Sequence, residues 1–217
     1  MIRKKEAHAG MAHKFNPAHA GRLLDEGRRA WNDPDKILQY LNLGQCTVLA
    51  DIGCGPGWFT LEAAKKMAPK GLVYGIDVSP EMLAKLKEQA EKAGILNVLG
   101  VLAESEAEWP IPNDSVDVAL IANVYHEVDP SGMFLTELKR VLRPGSTCLV
   151  VEWKQEETPV GPPLSERVDQ QDVTEEFYTA GFILAGTCDV GPYHYGLKFY
   201  RVRGADEPHE NMNNVVP

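Results

Sequence analysis

Apolar residues fall into two rhythms along this chain. Short, nearly unbroken apolar runs stand at 47–52, 72–76, 97–102, 116–122 and 147–153. Each is the right length for a strand and too short for a helix. Between them, apolar positions recur at helical spacing over 59–67, 80–93, 134–142 and 173–180. Ser79, just ahead of Pro80, predicts an N-cap, and Gly94 predicts the stop of that helix. Arg143-Pro144-Gly145 and Gly181 predict the stops of the later two. Val116–Ala122 is apolar almost throughout, as a strand covered on both faces should be. Segments 182–190 and 197–202 read as a closing antiparallel pair. Strand and helix alternate five times. That predicts an α/β fold built on a parallel sheet with helices on both faces. Ligands in such folds bind beyond the carboxyl ends of the strands. The positions to inspect are therefore 51–57, Asp77, 103–106, 123–127 and 152–154.

The flanks differ from this middle. Residues 1–35 are polar and carry His8, His13, His19, Phe15 and Trp31. A helix is expected over 17–30, then a turn at 32–35 and a short amphipathic helix over 35–43. Residues 204–217 hold three acids and no Lys or Arg, and are expected to be a disordered acidic tail. The division is thus 1–35 as an N-terminal extension, 36–203 as the domain, and 204–217 as the tail.

Length and charge narrow the function. A chain of 217 residues is one domain with appendages and can bury a core without staples. Its net charge of −9 argues against gripping nucleic acid phosphates or anionic lipid. The longest strictly apolar run, Val118–Ala122, is far below the roughly 18 residues a membrane span needs. The basic start, Met-Ile-Arg-Lys-Lys-Glu, is not followed by an apolar stretch and does not read as a secretory signal. A cytoplasmic location is the simplest expectation. Cys46, Cys54, Cys148 and Cys188 form no Cys-x-x-Cys pair and are expected to be buried thiols, with no metal site. A monomer and a homodimer are both compatible with the chain.

The chemistry begins at Asp51-Ile52-Gly53-Cys54-Gly55-Pro56-Gly57. Glycines two apart let backbone pass close to a ligand. A dinucleotide turn would be G-x-G-x-x-G, but position 58 is Trp. No Gly-Lys-Ser/Thr follows, so this is not a phosphate loop. Asp51 would repel a pyrophosphate and suits a ligand that brings positive charge. S-adenosylmethionine (SAM) is such a ligand, with an ammonium, a sulfonium and no phosphate. Asp77, at the end of the second strand, can take both ribose hydroxyls.

Here the chain resembles a family. Val48–Gly57 resembles the first motif of the class I SAM-dependent methyltransferases. Tyr74–Met82 resembles the segment that holds ribose and adenine, Trp109–Asp117 the lead into the fourth strand, and Leu138–Gly145 the turn into the fifth. The ubiquinone/menaquinone-biosynthesis-like small-molecule methyltransferases are the subgroup named by this resemblance. It implies a Rossmann-like, seven-stranded, mostly parallel sheet with a C-terminal antiparallel hairpin. It implies that Gly53, Gly55 and Gly57 line the methionine part of the cofactor, and that Asp51 helps hold its amino group. Asp77 would bind the ribose, and Val78 or Met82 would cover the adenine. Glu104, Ser105 and Glu106 remain alternatives for the adenine amino group. Asn123 would touch the methionine part, Tyr125 would shape the transfer channel, and His126 would serve as a base. The N-terminal segment, His13-Lys14-Phe15 and Arg22 to Trp31, would be a lid, with residues 1–10 an extension without a structural role.

The reading is a SAM-dependent methyltransferase acting on a small-molecule acceptor by direct displacement. Two alternatives stand beside it: a SAM-binding sensor or accessory subunit without transferase activity, and an arsenite-type metalloid methyltransferase. Glu152 and Lys154 at the end of the fifth strand are candidates to bind a polar substrate, and Tyr193, His194 and Tyr195 are candidates for a pocket wall.

Overall fold

The computed structural model describes residues 17–67, 71–129 and 131–203. The expected extension over 1–10, the segment His13–Phe15 and the acidic tail lie outside these residues.

The five apolar runs become the centre of one sheet. Its strands are β1 (Val48–Ile52), β2 (Leu72–Asp77), β3 (Val98–Leu102), β4 (Val116–Ala122), β5 (Leu142–Trp153), β6 (Phe182–Cys188) and β7 (His194–Arg201). The order is β3-β2-β1-β4-β5-β7-β6. β1 to β5 run parallel, and β7 lies antiparallel between β5 and β6. Strand order reverses between β1 and β4, where Ala50 pairs with Ala119 and Ile52 with Ile121. A crevice opens at such a switch point.

Among the described residues five α-helices flank the sheet: α1 (Pro34–Leu38), α2 (Thr60–Met67), α3 (Pro80–Ala93), α4 (Ser131–Val141) and α5 (Gln170–Thr179). Alternate strand residues face opposite layers. Leu49, Val73, Leu120 and Val151 pack with Ile37, Leu38, Phe59, Ala63 and Met67 from α1, α2 and their flanks. Ala50, Ile121, Cys148 and Val150 pack with Phe134, Leu138 and Val141 of α4 and Val173 and Phe177 of α5. Phe177 is fully buried and stacks on Phe199 at 4.3 Å. Burial of such a ring stabilises the fold by roughly 2–3 kcal/mol. Ser79 accepts the Met82 N–H at 3.2 Å and Gly94 closes α3, as the sequence predicts.

Three elements depart from expectation. The helix over 17–30 is two 3-10 segments, Pro17–Leu24 and Glu26–Ala30. Gly21 and Gly27 each cost a helix about 1 kcal/mol, and the Asp25 carboxylate takes the Gly27 N–H at 2.7 Å, restarting the chain. The amphipathic helix ends early, because Asn42 turns left-handed at φ 36°. β5 begins at Leu142 rather than at Thr147. The Arg143–Gly145 turn is absorbed as a bulge: Val116 pairs with Leu142, yet Val118 pairs with Thr147. Asp117, beside that bulge, accepts from the Thr47 N–H and hydroxyl, the Val48 N–H and the Arg143 guanidinium.

Candidate functional site

At the carboxyl end of β1 the chain folds back over β2. The N–H groups of Gly53 and Cys54 both donate to the Ile76 carbonyl, at 2.8 and 3.0 Å. Gly53, Gly55 and Gly57 all have positive φ: 69°, 52° and 101°. Their reasons differ. A Cβ on Gly53 would stand 2.3 Å from a Val124 methyl, and one on Gly57 would stand 2.5 Å from Leu86. One on Gly55 would meet only Leu23 of the N-terminal segment, at 3.6 Å. Gly55 is thus the open position of the turn, and Leu23 lies over it.

Two carboxylates serve this turn. Asp51, 2% exposed, accepts the Thr60 hydroxyl at 2.5 Å. Burial, with the charge of Asp77 adding to it, pushes the Asp51 carboxyl up to about 7. Asp77 accepts the N–H of Gly55 at 2.9 Å and of Ser79 at 2.8 Å, and burial raises it despite those bonds. Val78 beside it is half-exposed, whereas Met82 is buried on the inner side of α3.

The strands on either side bring the other predicted residues. The Ala103 N–H donates to the Asp77 carbonyl at 3.0 Å, setting the turn after β3 beside Asp77. In that turn Glu104 and Ser105 are exposed, and Ser105 Oγ takes the Ala107 N–H. Asn123, at φ 59°, ends β4 next to Val124. Its Oδ1 is buried and has no hydrogen-bond partner among the described residues. A buried acceptor left unpaired costs about 1–3 kcal/mol. An orphaned acceptor, a buried and a half-buried carboxylate and an open glycine call for a ligand with donors and positive charge. SAM has both, so the residues present fit it.

Tyr125 goes elsewhere. Its ring is 3% exposed, edge-on to Phe134 and tilted on Phe177, and its hydroxyl donates to Glu176 at 2.6 Å. The side chain belongs to the core against α4 and α5, so it is not brought together with the glycine turn. His126 follows Asn123 by three residues, and its Nδ1 lies 2.9 Å from Glu152 at the end of β5.

Residues 49–145 match the methyltransferase domain family. A SAM-dependent methyltransferase from Aquifex aeolicus of solved structure is 34% identical, with a TM-score of 0.82; the alignment covers 87% of this chain and 100% of that one. The chain belongs to the SAM-dependent methyltransferases. Within the family it is similar to the demethylmenaquinone methyltransferase of Geobacillus stearothermophilus, 29% identical over 55% of this chain and 50% of that protein. The enzyme of the same name from Staphylococcus aureus is 30% identical over 62% of this chain and 54% of its own. The chain spans about half the length of these curated relatives.

In this member of the family the described part of the N-terminal segment lies over the turn. Trp58 donates its indole N–H to the Asn32 carbonyl at 3.0 Å, and the Arg28 guanidinium lies over the rings of both Trp31 and Trp58. Thr60, Leu23 and Asn32 carried no signal in the sequence, because each acts through a contact that only the fold creates. A cleft of about 370 Å³ between α1 and Lys66 lies at the amino end of β1, away from this chemistry. Burial raises all four thiols, Cys46 to about 11. No helix among the described residues is long and apolar enough to cross a membrane.

Proposed function

We propose that the protein moves the methyl group of SAM to a small-molecule acceptor. Asp51 and Asp77, held in one buried turn with Gly55 open between them, are the observation that carries this reading. A carboxylate whose proton affinity is raised by burial and by a neighbouring carboxylate gains from a cation, and the ammonium and sulfonium supply it. Asp51 would face the amino group, Asp77 the ribose hydroxyls, Val78 the adenine, and Asn123 Oδ1 a donor on the methionine part. Met82, buried in α3, is the alternative to Val78 for covering the adenine, and Glu104, Ser105 and Glu106 would border the adenine end. Bound SAM supplies an electrophilic methyl whose sulfur leaves as a neutral thioether. The chain's own part is to align the acceptor and exclude water, which the segment Leu23–Trp31 does from above.

Calorimetric titration with SAM, S-adenosylhomocysteine and NAD tests the cofactor site. Binding of the first two and not of NAD is expected. Binding of NAD alone would overturn the reading. Methyl transfer is then scored by mass spectrometry of small-molecule pools incubated with SAM. A protein that binds SAM yet leaves the methyl group intact with every acceptor offered would be a sensor or accessory subunit instead.

A further inference from the structure

Between the cofactor turn and the end of β5 the chain packs rings and guanidinium groups in one continuous row. The row starts at Trp58, which follows Gly57 and donates its indole N–H to the Asn32 carbonyl. Arg28 lies over the rings of Trp58 and Trp31, at 5.0 and 5.5 Å. Trp31 then packs on the ends of β5 and β7. Its ring lies 5.4 Å from Trp153 and is stacked at 5.9 Å on His194. Its backbone is in close contact as well, since a Cβ on Gly191 would stand 2.8 Å from the Trp31 carbonyl. Trp153 also carries the loop that follows β5. A Cβ on Gly161 would stand 2.8 Å from its ring, and the Arg167 guanidinium lies 5.3 Å over it. Arg167 closes that loop on itself. It donates to the carbonyls of Lys154, Glu156 and Pro162 and to the Thr158 hydroxyl, at 2.6–3.0 Å.

We propose that Trp153 is a common anchor, and that the N-terminal segment over the cofactor turn and the loop over 154–166 open and close as one unit. This rests on the methyltransferase reading, because the segment covers the turn assigned to SAM. Leu23 lies over Gly55, the open position of that turn. A ligand seated there enters and leaves past the segment. Lifting the segment draws Trp31 off Trp153 and His194, which are 6% and 2% exposed, and puts their faces in water. Gly161 and Arg167 rest on the same indole, so a shift of that ring is passed to the loop. Each covering keeps the ring in place for the other, which makes the two cooperative.

The consequence is a shared gate. The cofactor turn and the end of β5 close together, so water is excluded from both in one step. Arg167 is then a positioning residue for the cofactor cover, although among the described residues it makes no hydrogen bond or ion pair to 21–32. Arginine suits the place better than lysine. Its planar fork serves three carbonyls and a hydroxyl while its face lies on the indole.

The test uses the full chain. Hydrogen exchange of the ligand-free parent is followed by NMR at low urea concentrations. The N–H of Asn32 bonds to the Arg28 carbonyl and that of Arg167 to the Leu164 carbonyl, at 2.6 and 3.2 Å, so each reports its own covering. The two amides should open with one equilibrium constant and one urea slope, the slope lying below that of global unfolding. Arg167→Lys should then speed exchange at Asn32 as well as in the loop. It should also raise the release rate of S-adenosylhomocysteine about three- to tenfold in stopped flow, as the loss of one stacked guanidinium implies. Failure of the parent to bind S-adenosylhomocysteine would sink the methyltransferase reading, and the exchange result would still decide the coupling. With normal binding, the coupling is overturned if the two amides open separately or only with global unfolding. It is equally overturned if Arg167→Lys loosens the loop while Asn32 exchange and ligand release stay within about twofold of the parent. Should Arg167→Lys lose its near-UV dichroism, exchange in the parent decides alone.

Discussion

Asp51→Asn should make the cofactor-free protein more stable by about 2 kcal/mol at pH 5, rising to about 4 kcal/mol at pH 8. Asn keeps the shape of Asp and an oxygen for the Thr60 hydroxyl, but it cannot ionise. The native Asp51 carboxyl is raised from 3.8 to about 7. That is about three pH units at about 1.4 kcal/mol each, so the ionised group costs the fold about 4 kcal/mol. The sign follows from which state holds the proton more tightly. Between pH 4 and 7 the native state binds it and the unfolded chain has lost it, so stability falls as pH rises through this window. The loss is complete above 7, where the native group ionises too. Asp77 is raised as well and contributes in the same direction, while Asp117 and Glu137 are lowered and contribute in the other. The difference between parent and variant isolates Asp51 from all of these. Urea unfolding at half-unit steps from pH 5 to 8 measures that difference. It should grow with pH toward about 4 kcal/mol, the variant being the more stable. A difference that stays flat across the range would refute the buried, proton-holding Asp51, and with it the argument that this turn seeks a cation. The same variant should bind SAM more weakly by about 1.5–3 kcal/mol, the value of a hydrogen bond to a charged group. The parent's SAM affinity should drop as pH falls below 7, approaching about tenfold per unit.

Further changes separate binding from folding. Asp77→Ala should weaken SAM by about 1.5–3 kcal/mol in calorimetry, and unchanged affinity would remove Asp77 from the site. Gly55→Val should abolish SAM binding while the fold survives, since only Leu23 is near; its left-handed backbone costs roughly 1–2 kcal/mol by urea titration. Gly53→Val, aimed at Val124 from 2.3 Å, should instead fail to fold normally, visible as lost near-UV dichroism. Tyr125→Phe should cost about 1.5–3 kcal/mol of stability through the lost bond to Glu176, leaving SAM affinity unchanged. A selective loss of SAM affinity would return Tyr125 to the site.

The sheet was legible because its signals are local. A buried parallel strand must be apolar on both faces, so Val116–Ala122 announces itself without knowledge of its neighbours. Helix α3 is bounded by a capping serine and a terminal glycine that act within a few residues. The N-terminal segment was misread for the complementary reason. Its periodicity suits a helix, but its conformation is set by tertiary contacts of Arg28 and Asn32 with Trp58, which no local window contains. The bulge in β5 is similar, since Gly145 alone reads as a turn and only pairing with β4 draws it into the strand.

The site divides along the same line. That Asp51, the three glycines and Asp77 meet at one turn was readable because their positions follow from the backbone around them. Tyr125 was not, because its place in a loop at a strand end says nothing about which way the ring turns. The structure turns it toward Phe134 and Phe177, and the adjacent His126 toward Glu152. A 3-10 turn at Tyr125–Glu127 produces this division. At about 120° per residue, successive side chains leave on different sides, so one residue enters the core and the next faces the end of β5. Sequence proximity to Asn123 favoured both equally. Only the buried carboxylate, 26 positions away and brought alongside by the parallel pairing of β4 and β5, distinguishes the imidazole at the end of β5 from the phenol that holds the core together.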